Sequence, residues 1–199
     1  QILFGLKQVE SLTKNLNDKL SIAAADCKYS SSSALVYTQD WQDKVLLTRL
    51  SPTRVFYKPY QYNKSDISKK GPTPKYGKAL RLRDAENEIP DATESFLHTT
   101  STGKKWQVTI DRFDRLSMKG KAELRLYEKP ISIFRITVRD DSGQLIYQAP
   151  LWLAGSGKSI QRIPLQHIFH AYHLRFNIEH WFRFCKQQLL FDDFQTCDL

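Results

Sequence analysis

The stretch that most constrains the fold is the run from Ala171 to Lys186, which contains no Gly or Pro. Apolar residues recur through it with the spacing of one helix face. The predicted buried stripe consists of Leu174, Ile178, Trp181, Phe182, Cys185 and Leu189. A second face carries the polar set Tyr172, Arg175, Glu179 and Lys186. One carboxylate therefore lies among two cations and a phenol, an arrangement suited to a metal and phosphates, although an exposed face with ordinary ion pairs would share this spacing.

The composition predicts a globular protein with a polyanionic partner. Of the 199 residues, 41% are hydrophobic and 12% aromatic, which excludes a disordered chain. The net charge of +9 favours nucleic acid over a membrane surface, although a merely Lys-rich protein would carry the same charge. The sequence contains no apolar run of membrane-spanning length, no recognisable signal peptide and no CxxC pair among its three Cys. We therefore expect a cytoplasmic protein that does not contact a membrane.

A short apolar segment near the start, Ser21–Ala25, ends at Asp26. It is typical of a buried strand that delivers a carboxylate at its C-terminal tip, where sites in α/β sheets are built. The alternative is that Asp26 caps the exit of the strand. Upstream of it, helical spacing is shown by Leu6, Val9, Leu12, Leu16 and Leu20.

The middle of the chain is β-rich. The predicted strands are Lys44–Leu50, Arg54–Tyr57, Trp106–Ile110, Glu123–Tyr127, Ile131–Arg139 and Leu145–Leu153. A tight connection is expected at Ser51–Thr53 and a hairpin turn at Asp140–Gly143. Two further patterns are rejected as sites. Gly155–Ser159 lacks the first Gly of a phosphate-binding loop and is interpreted as a flexible turn, and the His residues at positions 167, 170 and 173 are expected on a helix surface without zinc.

Residues 58–83, here called the basic segment, contain eight Lys or Arg and one Asp. Its Pro and Gly residues predict a loop. Tyrosines alternate with the cations, as expected where ammonium groups contact phosphates and rings pack on sugars or bases. The residues predicted to bind DNA phosphates here are Lys69, Lys70, Lys75, Lys78, Arg81 and Arg83. A solvated loop without a ligand is the alternative.

The spacing Tyr172-x2-Arg175-x3-Glu179-x6-Lys186 resembles the YREK signature of bacterial insertion-sequence transposases of the DDE type, the Tn-five-like group. Ala23-Ala-Ala-Asp26 and the segment Arg49–Tyr57 resemble the surroundings of the second acid in that family. The resemblance implies an α/β fold, an RNase H-like catalytic domain that is incomplete at its N-terminus and interrupted by a mostly β insertion. Residues 1–40 and 154–199 would belong to the catalytic core, and residues 41–153 would form the insertion.

The resemblance also implies roles for individual residues. Asp26 and Glu179 would be the second and third catalytic acids and would bind Mg²⁺, with Mn²⁺ as a substitute. Tyr172, Arg175 and Lys186 would hold phosphates of the element's end. The partner would be double-stranded DNA, at transposon ends and target, bound by a homodimer in the nucleoid of a prokaryotic cell.

One acid of the family's three is not found in this sequence. Only 25 residues precede Asp26, and the acids among them, Glu10 and Asp18, lie in the helix-like stretch. The resemblance therefore predicts the C-terminal part of a transposase, which acts by metal-dependent strand cleavage and strand transfer. Two alternatives are an inactive DNA-binding remnant that inhibits the full-length enzyme, and a gene product that does not fold.

Overall fold

The computed structural model describes residues 1–13, 19–61, 74–120 and 122–188. For residues 122, 176–183 and 185–188 it describes the backbone without the side chains. The α-helices in these ranges are α1 (Ile2–Thr13), α2 (Ser32–Thr38) and α3 (Leu165–Gln188). The strands are β1 (Ser21–Ala25), β2 (Lys44–Arg49), β3 (Val55–Tyr57), β4 (Ala79–Arg81), β5 (Ala92–Thr99), β6 (Lys105–Leu116), β7 (Ile131–Arg139) and β8 (Leu151–Ser156). The chain is a mixed α/β protein in which strands predominate.

Six of these strands form one sheet in the order β1-β2-β8-β7-β6-β5. β1 and β2 run parallel, with Ser21 opposite Lys44 and Ala25 opposite Thr48. The other neighbouring pairs of this sheet run antiparallel. The parallel pair needs a crossover connection, and this one passes through a 3-10 helix at Cys27–Ser30 and then through α2. The carboxyl ends of β1 and β2 therefore lie at the same end of the sheet.

Successive side chains of a strand point to opposite faces of the large sheet, and both faces are covered by packed residues. Ile22 and Ala24 of β1 pack into the cluster that also contains the buried residues of α3. Ala23 and Ala25 pack into the opposite cluster, together with α1 and with the fully buried Leu35 of α2. The sheet is thus the middle layer, with α3 on one face and α1, α2 and the small sheet on the other.

β3 and β4 pair antiparallel as a separate two-stranded sheet. Its central pair, Phe56 and Leu80, is almost completely buried in the cluster that holds α1 and α2. The pairing continues on the other side of β3, where Tyr57 and Ser117 exchange two backbone hydrogen bonds of 2.8 and 2.9 Å. The small sheet therefore holds the two ends of the basic segment side by side.

Most of the predicted elements are confirmed, with ends that differ by a few residues. The confirmed strands are the predicted Ser21–Ala25, Lys44–Leu50, Arg54–Tyr57, Trp106–Ile110 and Ile131–Arg139. The N-terminal helix is confirmed from Ile2 to Thr13, while the following residues 14–18 lie outside the described ones. The turn at Asp140–Gly143 is confirmed by the carboxylate of Asp140, which accepts hydrogen bonds from the backbone of Ser142 and Gln144.

One predicted strand is wrong, and another begins later than expected. Glu123–Tyr127 contains parts of two 3-10 helices, because Arg125 adopts a left-handed conformation with φ 44° that ends any extended run. The strand predicted from Leu145 begins only at Leu151, directly after Pro150, which has no N–H to donate into the sheet. The hairpin between β7 and β8 is consequently longer than the turn alone.

Two strands were missing from the prediction. β4 lies inside the basic segment, so the interpretation of that segment as a loop is wrong at its C-terminal end. β5 has too few apolar residues to show a strand pattern, and it forms because it pairs along its whole length with β6. In both cases the partner strand, and not local sequence, determines the structure.

The predicted faces of α3 are wrong at Leu174 and Tyr172. The side chains of the other predicted stripe residues, Ile178, Trp181, Phe182, Cys185 and Leu189, lie outside the described ones. Leu174 is 59% exposed, whereas Tyr172, predicted on the polar face, is 1% exposed. Apolar residues occur around most of this helix, so the contact with the sheet selects which of them are buried. The expectation that His170 and His173 lie on the surface is wrong as well, since both are half-buried against His98 of β5, while His167 is exposed.

Strands from the predicted core segment and from the predicted insertion lie side by side, because β1 of residues 1–40 pairs with β2 of residues 41–153. The division into residues 1–40, 41–153 and 154–199 stays a prediction. In the ranges that the structure describes, none of the helices combines the length and the apolar character that crossing a membrane demands.

Candidate functional site

Asp26 lies at the carboxyl end of β1, directly after Ala25. Its backbone is still extended, with φ −77° and ψ −179°, so the alternation of Ile22 and Ala24 places it on the α3 face of the sheet. Its Oδ1 accepts a hydrogen bond of 2.8 Å from the backbone N–H of Lys28 and caps the following 3-10 helix. The capping alternative is therefore realised. A carboxylate has two oxygens, so a cap at one of them is compatible with a second ligand.

The backbone of Asp26 is held by a hydrogen bond from the neighbouring strand β2. Thr48, which is fully buried, donates from its hydroxyl to the carbonyl of Asp26 at 2.5 Å. Arg54, five residues after β2 ends at Arg49, donates to the carbonyl of Ser30 in the same 3-10 helix. The backbone that carries the Asp26 carboxylate is thus held by hydrogen bonds, and the guanidinium of Arg54 binds the backbone four residues further on, at Ser30.

On α3, the structure brings Tyr172 and Arg175 together. Arg175 Nη2 donates to the Tyr172 hydroxyl at 3.2 Å, and its guanidinium carbon lies 5.0 Å from the centre of the Tyr172 ring. Tyr172 is buried in the cluster formed by the sheet and α3, and Arg175 is half-buried beside it. The buried Tyr172 hydroxyl therefore holds the Arg175 guanidinium through a hydrogen bond.

The other two residues of the signature, Glu179 and Lys186, are helical in α3, and their side chains lie outside the described ones. The predicted meeting of Glu179 with Asp26 stays a prediction. Among the described residues, no group of three or more His, Cys, Asp or Glu is arranged to hold a metal ion. Asp26 offers the hard carboxylate oxygens that Mg²⁺ prefers, and the fit of a metal depends on the second acid.

The predicted phosphate-binding residues of the basic segment fall into different environments. Lys69 and Lys70 lie outside the described residues. Arg81 is exposed on β4, and Arg83 is exposed at the start of a 3-10 helix, where it lines a cleft of about 650 Å³. Lys75 and Lys78 lie on a different surface, close to three tyrosines.

That surface is built around three tyrosines from separate parts of the chain, Tyr57, Tyr76 and Tyr127. The ring centre of Tyr76 lies 5.3 Å from that of Tyr57 and 6.2 Å from that of Tyr127. Lys75 Nζ lies 4.6 Å from the centre of the Tyr127 ring, and Lys119 Nζ lies 4.3 Å from that of Tyr57. We call these five residues the tyrosine–lysine cluster. Both ammonium groups belong to exposed residues, so they remain accessible to an anion.

Beside the cluster, one acid binds two further lysines. Lys78 Nζ lies 2.5 Å from Glu88 Oε1, and Lys58 Nζ lies 3.4 Å from Glu88 Oε2. The hydrogen bond from Lys78 is the main reason why the pKa of Glu88 is lower than usual. Sequence reasoning placed Lys78 among the phosphate-binding residues and overlooked this acid, because ten positions separate the two in the chain.

Sequence reasoning also missed Lys119 and Tyr127 as members of the basic surface. Lys119 is followed in the sequence by Gly120 and Lys121, a short basic run that could have been counted with the basic segment. Tyr127 was assigned to a strand that does not exist. No local signal joins Lys119 to Tyr57, because their contact depends on the pairing of Tyr57 with Ser117. The contact of Tyr127 with Tyr76 likewise joins residues far apart in the chain.

Comparison with protein-family models and with curated proteins found no match to this chain.

Proposed function

We propose that the chain is the catalytic portion of a DDE-type transposase with an RNase H-like fold, which cleaves and joins double-stranded DNA at the ends of a mobile element. The observation that carries the proposal is the position of Asp26. It follows a strand that is parallel to its neighbour. Strand alternation assigns it to the same sheet face as Ile22 and Ala24, which pack in the cluster that contains residues of α3, the helix with the YREK spacing. Active sites of α/β proteins form at such strand tips.

In this proposal Asp26 and Glu179 supply carboxylate oxygens for Mg²⁺, which would activate water and stabilise the leaving oxygen of the cleaved strand. Arg175 and Lys186 neutralise non-bridging phosphate oxygens. Tyr172 is buried, and its hydroxyl accepts a hydrogen bond from Arg175. Its role is therefore to position the guanidinium, and the phosphate contacts fall to Arg175.

The test measures the binding of Mn²⁺ to the 199-residue chain in the presence of duplex DNA, with electron paramagnetic resonance as the readout. We expect Asp26→Asn and Glu179→Gln each to weaken binding at least about tenfold, because each removes one charged ligand. Asp141→Asn, in the exposed turn after β7, is the matched control and should bind as the parent chain does. Unchanged Mn²⁺ affinity in Asp26→Asn would refute the proposed metal site.

A second candidate is a DNA-binding protein that does not cleave. It is favoured by the cap at Asp26, which engages one carboxylate oxygen, and by the accessible lysines of the tyrosine–lysine cluster. Incubation of supercoiled plasmid with the chain and Mn²⁺ separates the two candidates. Nicking that disappears in Glu179→Gln supports the transposase, and salt-sensitive DNA binding without nicking supports the second candidate.

A further inference from the structure

We infer that the tyrosine–lysine cluster and the Lys58–Glu88–Lys78 bridge form one surface for the phosphate backbone of duplex DNA. We also infer that Glu88 lowers the affinity of this surface by holding two of its four ammonium groups. The inference rests on the proposed function in one respect, that the polyanionic partner is DNA. The choice of residues and the role of Glu88 come from the geometry of the surface.

The two parts are continuous. Lys58 follows Tyr57 directly, and Tyr76 lies two residues before Lys78. Lys58, Tyr60, Tyr76 and Lys78 line one open cleft. Backbone hydrogen bonds of 2.8 Å from Gly77 to the carbonyl of Lys58 and of 3.0 Å from Lys58 to the carbonyl of Lys78 hold the two strands together.

Gly77 is what allows this close approach. A Cβ at this position would lie 2.5 Å from the carbonyl oxygen of Pro59, which is too close for any side chain. Lys58 and Lys78 are therefore carried by two closely packed backbone segments rather than by a solvated loop.

The four ammonium groups differ in what they contact. Lys75 and Lys119 lie over tyrosine rings, which attract a cation with their π electrons but bring no negative charge. Their positive charge is therefore available to a phosphate. Lys58 and Lys78 share the single negative charge of Glu88, whose side chain is only 19% exposed. An anion that reaches these two lysines must compete with that carboxylate.

The arrangement of the rings favours duplex DNA over a single strand. Proteins that bind single strands stack the bases on open aromatic faces. Here Tyr57 and Tyr127 each have a lysine ammonium over one face, and Tyr76 packs between the two other rings. The rings thus hold the lysine ammonium groups in place. The surface can bind the DNA phosphate backbone through these charges, but it has little open ring area on which a base could stack.

The experiment measures the affinity of the full chain for a fluorescent DNA duplex by anisotropy over a range of salt concentrations. We expect the double variant Lys75→Gln/Lys119→Gln to reduce the slope of log affinity against log salt by about two, one for each ammonium group removed from the phosphates. Glu88→Gln should raise affinity and steepen the slope by about one to two, because Lys58 and Lys78 become available. Lys104→Gln, an exposed lysine in the tip between β5 and β6, is the matched control.

The outcomes are distinguishable. If the parent chain binds the duplex without any response to salt, the proposed DNA partner is wrong. If it binds with a steep slope but the Lys75/Lys119 variant matches Lys104→Gln, the surface is wrong while the DNA partner stands. An unchanged affinity in Glu88→Gln, with an unchanged circular dichroism spectrum, refutes the role of Glu88. Tighter binding of a single strand of equal length than of the duplex refutes the choice of duplex backbone.

Discussion

The α3 face at Asp26 and the tyrosine–lysine cluster are built in opposite ways. At Asp26 the geometry comes from the backbone, through strand alternation and a cap from Lys28, and Tyr172 is buried beneath α3. In the cluster it comes from side chains of distant segments, exposed lysines over half-buried rings, such as Lys75 over Tyr127. A site of the first kind depends on the stability of the fold, whereas one of the second kind can change its charge without unfolding. The following predictions test this difference, from the largest expected effect to the smallest.

Truncation of Tyr172 should have the largest effect. Because its ring is buried between α3 and the sheet, Tyr172→Ala should lower the free energy of unfolding by about 3–5 kcal/mol, the usual loss for a large buried aromatic. Tyr172→Phe keeps the ring and removes the hydroxyl that accepts from Arg175, so it should cost about 1 kcal/mol. Urea unfolding measures both. A loss of below about 1 kcal/mol in the alanine variant would show that the ring is not part of the core.

Acidification should loosen α3 from the sheet by a smaller amount. The ring centre of His98 lies 5.5 Å from that of His170 and 5.2 Å from that of His173. Burial is the main cause that lowers the pKa of His98 and His173 below their usual 6.5, and the neighbouring imidazoles add to it. As the pH falls, these histidines therefore bind protons in the unfolded chain before they do so in the folded one. The stability contributed by these neutral rings is complete above pH 6.5 and is lost as the pH falls below it.

Urea unfolding at about pH 7.5 and about pH 5.5 measures this loss. His98→Asn should reduce the difference between the two conditions, because it removes one of the half-buried imidazoles. His167→Asn is the control, since this histidine is exposed on the same helix as His170 and His173 and should leave the difference unchanged. Equal pH dependence in the two variants would contradict the assignment.

At Asp26 the expected effect on stability is smaller still. Asp26→Ala removes a cap and should cost about 1 kcal/mol, whereas Asp26→Asn keeps a capping oxygen and should cost close to nothing. The asparagine variant nevertheless loses the charge that a divalent cation needs. Thermal unfolding and Mn²⁺ binding, measured on the same samples, separate the cap from the metal site. If Asp26→Asn destabilises the fold as much as Asp26→Ala, the cap is not the local role of this residue.

On the lysine surface stability should hardly change. Glu88→Gln breaks two ion pairs with exposed lysines, which are worth less than about 1 kcal/mol near neutral pH. The depressed pKa of Glu88 adds a pH dependence: its contribution is present above the usual value of 4.5 and is lost as the pH falls below it. Acid unfolding of the variant should therefore lack this component. A loss of several kcal/mol at neutral pH would mean that Glu88 holds the fold together and does not merely limit DNA affinity.

Local patterns predicted the strands whose apolar residues alternate or cluster. β1, β2 and β7 were found because each buries side chains of its own, and the tip position of Asp26 followed directly from β1. β5 was missed because its stability comes from β6, and Glu123–Tyr127 was mistaken for a strand because a short alternation also fits 3-10 turns. The predicted faces of α3 are wrong at Leu174 and Tyr172, because apolar residues surround much of the helix and periodicity alone did not select the buried ones.

By itself, the sequence determined an α/β chain with a carboxylate after its first strand, a helix with the spacing from Tyr172 to Lys186, and a basic segment. The tertiary structure decided that Tyr172 is buried, that Lys119 and Tyr127 join the basic surface, and that Glu88 binds two of its lysines. The physical reason is that periodicity records only neighbours within one element. A contact between residues far apart in the chain, such as Lys58 with Glu88, depends on how the strands are ordered in the sheets.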